Sequence, residues 1–398
     1  MTEPLLVDFY PEFYNEPKSE VKACDKLEFQ KCRRFGVGYM GSKNQIVKKL
    51  MPQLPSAKYF IDLFAGGCAM THGAMLSGKY ERFIANDIGD APSLFLRAIK
   101  GEFKDEKRWI SRDDFQKLKD SDPYIRYCWS FGNKGEGYMY AEVIEPYKKA
   151  YYYARRFNDF SLFDEFAPYI KAEFGDNLRS YIAKNTGKIK QDYIRWYLKT
   201  QLKIKGDELQ KSGLTQSAVD KHLGTQMSGH YFGRSQWQFP TLEYYNKLKE
   251  ILPLEKSYFE CVNFLNALSI SLQRLESLQS LQSLESLESL QSLEVYQGCY
   301  KELKLPKANE CVIYCDPPYF NCEGYHKQTL KNGKTSFNHG EFYDYVESLA
   351  RQGYKVFISE YDMPKDRFKS IFNVEKRQQL NGKGARAIKQ EHLFVPII

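Results

Sequence analysis

The chain has 398 residues, of which 42% are hydrophobic and 27% charged, and 58 basic residues against 50 acidic ones leave a formal net charge of +8. At roughly 150 residues per domain, this is the composition of a globular protein of about two or three domains. No apolar run of roughly 18 residues and no basic, apolar leader occurs in the chain, so we expect a cytoplasmic protein that neither crosses a membrane nor is secreted.

The first residues, 1–30, are polar without a regular pattern, and we interpret them as an N-terminal arm. Beyond the arm, short apolar runs alternate with helical patterns such as Glu341–Gln352. Strands are predicted, in chain order, at Lys58–Phe64, Arg82–Asn86, Cys311–Cys315, Lys355–Glu360 and His392–Ile397. Apolar strands between helices are typical of a buried, largely parallel sheet. The predicted fold class is therefore α/β, with residues 31–110 and 295–398 forming one sheet domain.

The middle of the chain, residues 111–268, is rich in Tyr, Lys and Arg and is predicted to be mainly helical. Between Tyr181 and Lys205, seven basic residues occur with one acidic residue, which is also the pattern of a solvated helical face. Further on, Thr215 is a candidate cap for a helix that ends at Leu223, and a glycine turn leads to a second helix that starts near Thr225. This order predicts a helix-turn-helix, although any helical hairpin with a glycine turn has the same pattern.

A low-complexity repeat occupies Ser271–Glu294, with leucine at every third position. Leucine at this period drifts by about 60° per repeat around an α-helix of 3.6 residues per turn, so it forms no straight apolar stripe. The remaining interpretations are a helix with a spiralling seam, a coil of three residues per turn, a flexible spacer and an oligomer contact. We interpret residues 269–294 as an insertion with a structural or spacer role.

The sequence Asp316-Pro317-Pro318-Tyr319 follows the apolar strand Cys311–Cys315 directly. Two prolines end the strand and stiffen the chain at the sheet edge where open α/β sheets bind ligands. A stiff turn alone would explain the prolines. A carboxylate that accepts from an exocyclic amine, together with an aromatic ring, favours instead a site for an amino-bearing planar base such as adenine.

A second candidate site begins at Asp62, where a strand ends in the glycine-containing loop Phe64–Cys68 and a helix opens. Glycines allow a ligand to approach the backbone, and the helix start supplies unpaired N–H donors. Such a turn is common in α/β proteins, but Asp87 ends the next strand at the spacing of an acid that binds ribose hydroxyls. Because GxGxxG is absent, this pattern favours a nucleoside cofactor over a dinucleotide.

A third segment, Tyr39–Lys43, precedes the first strand and starts a helical run. An ordinary helix start with a surface lysine is the simpler interpretation, and the Walker A frame is absent. The cysteines form no CxxC pair and the histidines no HExxH motif, so we predict neither a disulfide framework nor a metal site.

In this order, the segment at Lys43, the glycine loop, a middle insertion and Asp316–Tyr319 resemble the Dam-like, alpha-group family of DNA adenine-N6 methyltransferases. Members of this family carry a glycine-lysine motif, an FxGxG cofactor loop, a target-recognition insert and then DPPY. The similarity runs from about Gly36 onward and includes Ile358–Tyr361 and Glu391–Phe394, which look like later strands of the family. It implies a Rossmann-like methyltransferase sheet with an inserted, mainly helical target-recognition domain at residues 111–268.

The resemblance implies methyl transfer from S-adenosyl-L-methionine to N6 of an adenine that is flipped out of double-stranded DNA. The residues implied to bind the cofactor are Tyr39, Gly41, Lys43, Asp62, Phe64, Gly66, Asp87 and Asp316. The implied catalytic residues are Asp316, Pro317, Pro318 and Tyr319. Hydrogen bonds from the amine to the Asp316 carboxylate and the Pro317 carbonyl would favour attack by the nitrogen, and Tyr319 would stack on the flipped base.

We expect DNA contacts in the glycine-rich loop 131–138 and in the helix-turn-helix candidate, which offers donors and acceptors to base edges. The residues predicted to bind DNA are Lys134, Gln226, His230, Arg234 and Gln236. The polar segment Asn321–Asn338 is predicted to be a lid that substrate orders.

One departure from the family pattern is Cys68, which stands at the second glycine of FxGxG. Two rival functions remain: an RNA adenine-N6 methyltransferase, because DPPY also occurs there, and a sequence-specific DNA-binding regulator without catalysis. The helix-turn-helix favours duplex DNA and the intact DPPY favours catalysis. A cognate restriction endonuclease is the further partner expected if the enzyme belongs to a restriction-modification system.

Overall fold

The computed structural model describes residues 28–142, 145–157, 159, 161–162, 209, 211–232, 238–254, 257–259, 261–262, 281–284, 287, 292–319, 337–377 and 388–398. The predictions for residues 1–27, for the basic stretch 181–205, for Arg234 and Gln236 and for most of the lid lie outside these residues. The described chain divides into two compact units. The first comprises the residues up to Met139 and those from Glu276 on, and the second those from Tyr140 to Leu275.

Among the described residues of the first unit, seven strands form one sheet in the order β3-β2-β1-β4-β5-β7-β6. The strands are β1 (Tyr59–Asp62), β2 (Arg82–Asp87), β3 (Leu293–Gln297), β4 (Cys311–Cys315), β5 (Lys355–Glu360), β6 (Phe368–Arg377) and β7 (Ile388–Pro396). The first five in the sheet order pair in parallel, and β7 pairs antiparallel with both β5 and β6. The predicted α/β class and Rossmann-like sheet are confirmed.

The described helices, in chain order, are α1 (Val47–Leu50), α2 (Ala69–Ser77), α3 (Ala91–Ile99), α4 (Arg112–Leu118), α5 (Pro123–Cys128), α6 (Glu145–Phe157), α7 (Gln216–Leu223), α8 (Ser228–Phe232), α9 (Leu242–Ile251) and α10 (His339–Arg351). None of them is long and apolar enough to cross a membrane. Helix α10 is the one predicted from its pattern, and Asn338 caps it by accepting from the Glu341 backbone N–H.

The core of the sheet surrounds β4, whose five residues are fully buried. Helix α10 packs against it through Phe342, Val346 and Leu349. Because β1, β2 and β4 run in parallel, their carboxyl ends meet at one edge of the sheet. Asp62, Asp87 and Asp316 are therefore brought to that edge from distant parts of the sequence.

Residues 111–139, which were predicted to belong to the recognition domain, lie in the first unit. The reason is a set of contacts between α5 and the start of α3. The Arg126 guanidinium donates two hydrogen bonds to the Asp90 carboxylate, both of 2.8 Å, and the Tyr127 hydroxyl donates to the same carboxylate at 3.1 Å. Asp90 follows β2 closely, so these contacts hold α5 to the sheet.

The described part of the leucine repeat also lies in the first unit. Leu281, Leu284 and Leu287 are buried, and the Gln282 side chain donates to the backbone carbonyls of Phe103 and Lys104. A period of three therefore places successive leucines in the core here, so this part of the repeat is structural.

The second unit contains the predicted helix-turn-helix. Helix α7 begins after Thr215, whose hydroxyl accepts from the Ala218 N–H, and ends at Gly224 in the left-handed conformation. The second helix, α8, starts at Ser228 and not near Thr225, because the Ser228 N–H first bonds the Asp220 carboxylate at 2.9 Å.

Candidate active site

A cavity of about 510 Å³ opens at the carboxyl edge of the sheet, within the first unit. All the residues predicted to bind the cofactor line it: Tyr39, Gly41, Lys43, Asp62, Phe64, Gly66, Asp87 and Asp316. The cavity thus brings together three motifs that are far apart in the sequence. Its walls come from the segment before β1, the ends of β1, β2 and β4, and the start of α10.

The glycine loop between β1 and α2 forms one wall. Gly66 has a φ of +47°, and a Cβ atom there would lie 2.9 Å from the Tyr39 ring. Glycine is therefore required by both the backbone conformation and the close approach of Tyr39. Cys68 also has a positive φ, 58°, which explains why family members carry glycine at this position. The thiol is fully buried, and burial raises its pKa, which disfavours the reactive thiolate form.

Asp87 binds the backbone around the glycine loop. Its two carboxylate oxygens accept from the N–H groups of Gly66 and Gly89, each at 2.8 Å. A carboxylate has about four lone-pair sites, so each oxygen can still accept from a ligand hydroxyl.

Asp62 is the least satisfied acceptor of this wall. Its Oδ2 accepts from the Thr71 hydroxyl at 2.8 Å, whereas its buried Oδ1 has no hydrogen-bond partner among the described residues. Burial raises the pKa of Asp62 to about 7, and the neighbouring Asp316 and Asp87 add to the shift. The cavity is lined by four carboxyl groups, of Asp62, Asp87, Asp316 and Glu341, against two lysines, and this excess of acidic groups suits a ligand that carries positive charge.

Lys43 is buried, so the interpretation as an ordinary surface lysine is wrong. It sits in a short 3-10 turn, Lys43–Gln45, which Ser42 caps. The ammonium group contacts the Asp316 carboxylate directly and lies 3.4 Å from the Glu391 carboxylate. Lys43 therefore links the segment before β1 to the end of β4.

The residues after β4 differ in how they face the cavity. Asp316 and Pro318 line it, whereas Pro317 and Tyr319 do not. Only 8% of Tyr319 is exposed. Its hydroxyl donates to Glu391 at 2.8 Å, and the Lys43 ammonium lies 4.7 Å from the centre of its ring. Stacking of Tyr319 on a base would need the ring to become more exposed.

Several residues at this site were not predicted. The His339 Nε2 lies 2.8 Å from the Pro318 carbonyl, which can only accept, so this nitrogen carries the hydrogen. Phe64 packs against Tyr300 and Phe337, with ring centres 5.0 and 5.7 Å apart, and these three rings form an aromatic wall of the cavity. Phe64 belongs to the predicted glycine loop, whereas Tyr300, Phe337 and His339 lie outside the recognised motifs, where only their aromatic or polar character gave a signal.

The loop 131–138 is a hairpin that internal hydrogen bonds hold in shape. Gly132, Asn133 and Gly135 have positive φ angles, and the Phe131 N–H bonds the Gly137 carbonyl. The Asn133 side chain donates to the Tyr127 carbonyl at 2.7 Å. Lys134 is exposed, as is 69% of Phe131 at the tip. The loop thus presents an ammonium group and an aromatic ring to solvent.

In the second unit, Gln226 is exposed in the turn before α8, and His230 is partly exposed within α8. Among the described residues, no cluster of three His, Cys, Asp or Glu side chains is arranged to hold a metal ion.

Residues 39–190 match the family model of the D12 class N6 adenine-specific DNA methyltransferase. The matched range begins at Tyr39 and includes the glycine loop, Asp87 and the loop 131–138, and it ends before Asp316. A search of curated proteins finds no match. Over residues 39–190, the match agrees with the family predicted from the motifs.

Proposed function

We propose that this chain transfers a methyl group from S-adenosylmethionine to N6 of an adenine flipped out of duplex DNA. The match of residues 39–190 to the family model of the D12 class N6 adenine-specific DNA methyltransferase supports this proposal. The observation that carries the proposal is the position of Asp316, which shares one cavity with the glycine loop. A donor site and an acceptor for an exocyclic amine are thereby adjacent.

The residues of the cavity fit S-adenosylmethionine, which supplies a methyl group bound to a positively charged sulfur. Its ammonium group has a natural partner in the unsatisfied oxygen of Asp62. Its ribose hydroxyls suit Asp87, and its flat adenine suits the wall of Phe64, Tyr300 and Phe337.

Asp316 is proposed to orient the target amine. The nitrogen lone pair of adenine N6 is delocalised into the ring, so the amine is a weak nucleophile. A carboxylate that accepts one N–H favours a pyramidal nitrogen and stabilises the positive charge that develops on it. The second acceptor is proposed to be the Pro317 carbonyl, as the family resemblance implies; because Pro317 does not line the cavity, this carbonyl would have to turn toward the target amine. The remaining contribution to the rate is the alignment of the target amine with the methyl group, for which a rigid Pro-Pro segment is well suited.

The DNA side of the proposal rests on the exposed residues. Lys134 and Phe131 project from a loop of the first unit, and Gln226 and His230 belong to a helix-turn-helix of the second. A lysine suits the phosphate backbone, and the second helix of a helix-turn-helix suits the major groove. Which of them contacts a base stays a prediction.

The test is methyl transfer from labelled S-adenosylmethionine to unmethylated plasmid DNA and, in parallel, to structured RNA, followed by nucleoside analysis. We expect label in N6-methyladenine from the duplex, and an excess of S-adenosylhomocysteine should abolish it. Label in RNA alone would overturn the proposal that duplex DNA is the substrate. Folded protein that labels neither nucleic acid, yet binds the duplex, would support a regulator in place of an enzyme.

A further inference from the structure

Glu391 lies at the centre of a buried contact network that the proposed function does not use. It belongs to β7, and its side chain is fully buried. The antiparallel register sets His392 opposite Glu360 and Leu393 opposite Ser359, so Glu391 comes next to the end of β5. Strand β5 in turn pairs with β4, which leads into Asp316.

Three donors converge on one oxygen of Glu391. Its Oε1 accepts from the Ser359 hydroxyl at 2.6 Å and from the Tyr319 hydroxyl at 2.8 Å, and the Lys43 ammonium lies 3.4 Å away. Burying a carboxylate is costly unless it is paired and hydrogen-bonded, and these donors supply both compensations. The arrangement is specific for an acceptor group at this position.

The ammonium group of Lys43 is shared between two carboxylates. It contacts Asp316, whose side chain is 20% exposed toward the cavity, and Glu391, whose side chain is 0% exposed. An ammonium group that lies between two carboxylates neutralises the charge of each of them less than it would neutralise a single carboxylate. Glu391 therefore leaves Asp316 with more capacity to accept a hydrogen bond from another group.

We infer that Glu391 is a positioning residue for the methyl transfer, which holds Tyr319 and draws part of the Lys43 charge away from Asp316. This inference rests on the proposed function of Asp316 as the acceptor for the target amine. It gives the terminal strand β7 a role in the chemistry, although the strand contributes no residue to the cavity wall.

The decisive variant is Glu391→Gln, which keeps the size of the side chain and an oxygen that accepts from Tyr319 and Ser359 but removes the charge. We expect kcat to fall by about 10- to 100-fold, while KM for S-adenosylmethionine and for plasmid DNA stays within about threefold. A kcat within about twofold of the wild type would overturn the inference, because the shape of the side chain without its charge would then be enough for methyl transfer. A rise in KM with unchanged kcat would overturn it as well.

The matched control is Glu347→Gln, since Glu347 is another buried carboxylate with charged partners, Arg367 at 2.6 Å and Arg351 at 3.1 Å, away from the cavity. This variant should lose stability and keep kcat. A comparable fall in kcat would show that the effect of Glu391→Gln is only structural.

A second measurement does not depend on activity. In a double-mutant cycle of Glu391→Gln and Tyr319→Phe, the unfolding equilibrium constants should show a coupling of at least about threefold. Additive effects would overturn the contact on which the inference rests. If the wild type transfers no methyl group, the proposed function fails, and this cycle still decides whether Glu391 holds Tyr319.

Discussion

The two walls of the cavity satisfy their charged groups in different ways. On the wall from β1 and β2, Asp87 accepts from backbone N–H groups, and Asp62 keeps one oxygen without a partner among the described residues. On the wall at the end of β4, Asp316 is held by the Lys43 side chain, which it shares with Glu391 of β7, a residue that does not line the cavity. The first arrangement leaves acceptors for a ligand, and the second fixes charges relative to one another. The free acceptor and the shared ion pair thus lie at the ends of two neighbouring strands, β1 and β4.

The first wall is tested most severely by Gly66→Ala. The added Cβ would lie 2.9 Å from the Tyr39 ring at a φ of +47°. We expect the affinity for S-adenosylmethionine to fall by roughly 10- to 100-fold because the strain amounts to about 1–3 kcal/mol. Equilibrium binding measures the change. Gly137→Ala is the control, because nothing lies within 4 Å of its added Cβ; equal losses in both variants would contradict the role of the loop.

Asp62→Asn tests the same wall through the pH dependence of the affinity for the methyl donor. The folded pKa of Asp62, about 7, lies above its ordinary value, so a cationic ligand must displace a proton at lower pH. Donor affinity in the wild type should therefore fall about tenfold as the pH is lowered from about 8 to about 6. In the variant the affinity should be about tenfold weaker at pH 8 and nearly independent of pH. An unchanged pH dependence would show that another group takes the ammonium.

Lys134→Ala addresses the loop beside the first wall. Loss of one phosphate contact should weaken duplex binding by a few-fold and reduce the slope of log affinity against log salt by about one. Titrations at several salt concentrations measure both. The affinity for the donor should not change, and a loss of donor binding would place Lys134 in the cavity instead.

The smallest effect is expected for Cys68→Gly. Relief of the left-handed conformation should stabilise the fold by about 1–2 kcal/mol, and loss of a buried thiol should offset most of it. Thermal unfolding and donor binding should therefore both remain close to the wild type. A large loss of stability would mean that the thiol packs better than its backbone strain indicates.

The sequence predicted the strands that are apolar throughout, and it missed two others. Strand β3 has no buried residue and begins at Leu293, inside the repeat, and β6 lies at the sheet edge. Both lack the continuous apolar run that marks a central strand. The sequence could not decide whether the repeat is a spacer or a structural element, because only the packing shows that Leu281 and Leu284 are buried.

The candidate site was predicted where residues lie next to a strand end, as for Asp62, Asp87 and Asp316. Glu391 and His339 could not be assigned, because their contacts depend on the register of β7 and on the start of α10. The enclosed position of Tyr319 was equally inaccessible, since its partner Glu391 is 72 residues away in the sequence.

The most direct test of the account is single-turnover methyl transfer to plasmid DNA by Asp316→Ala, with donor affinity measured on the same preparation. Lys43 keeps Glu391 as a partner at 3.4 Å, so the variant is expected to fold. The account predicts that the methylation rate falls by about 100- to 1000-fold or more, while S-adenosylmethionine still binds within about tenfold of the wild-type affinity. A variant that folds, binds the donor and methylates adenine at a rate near that of the wild type would contradict the assignment of Asp316 as the acceptor for the target amine.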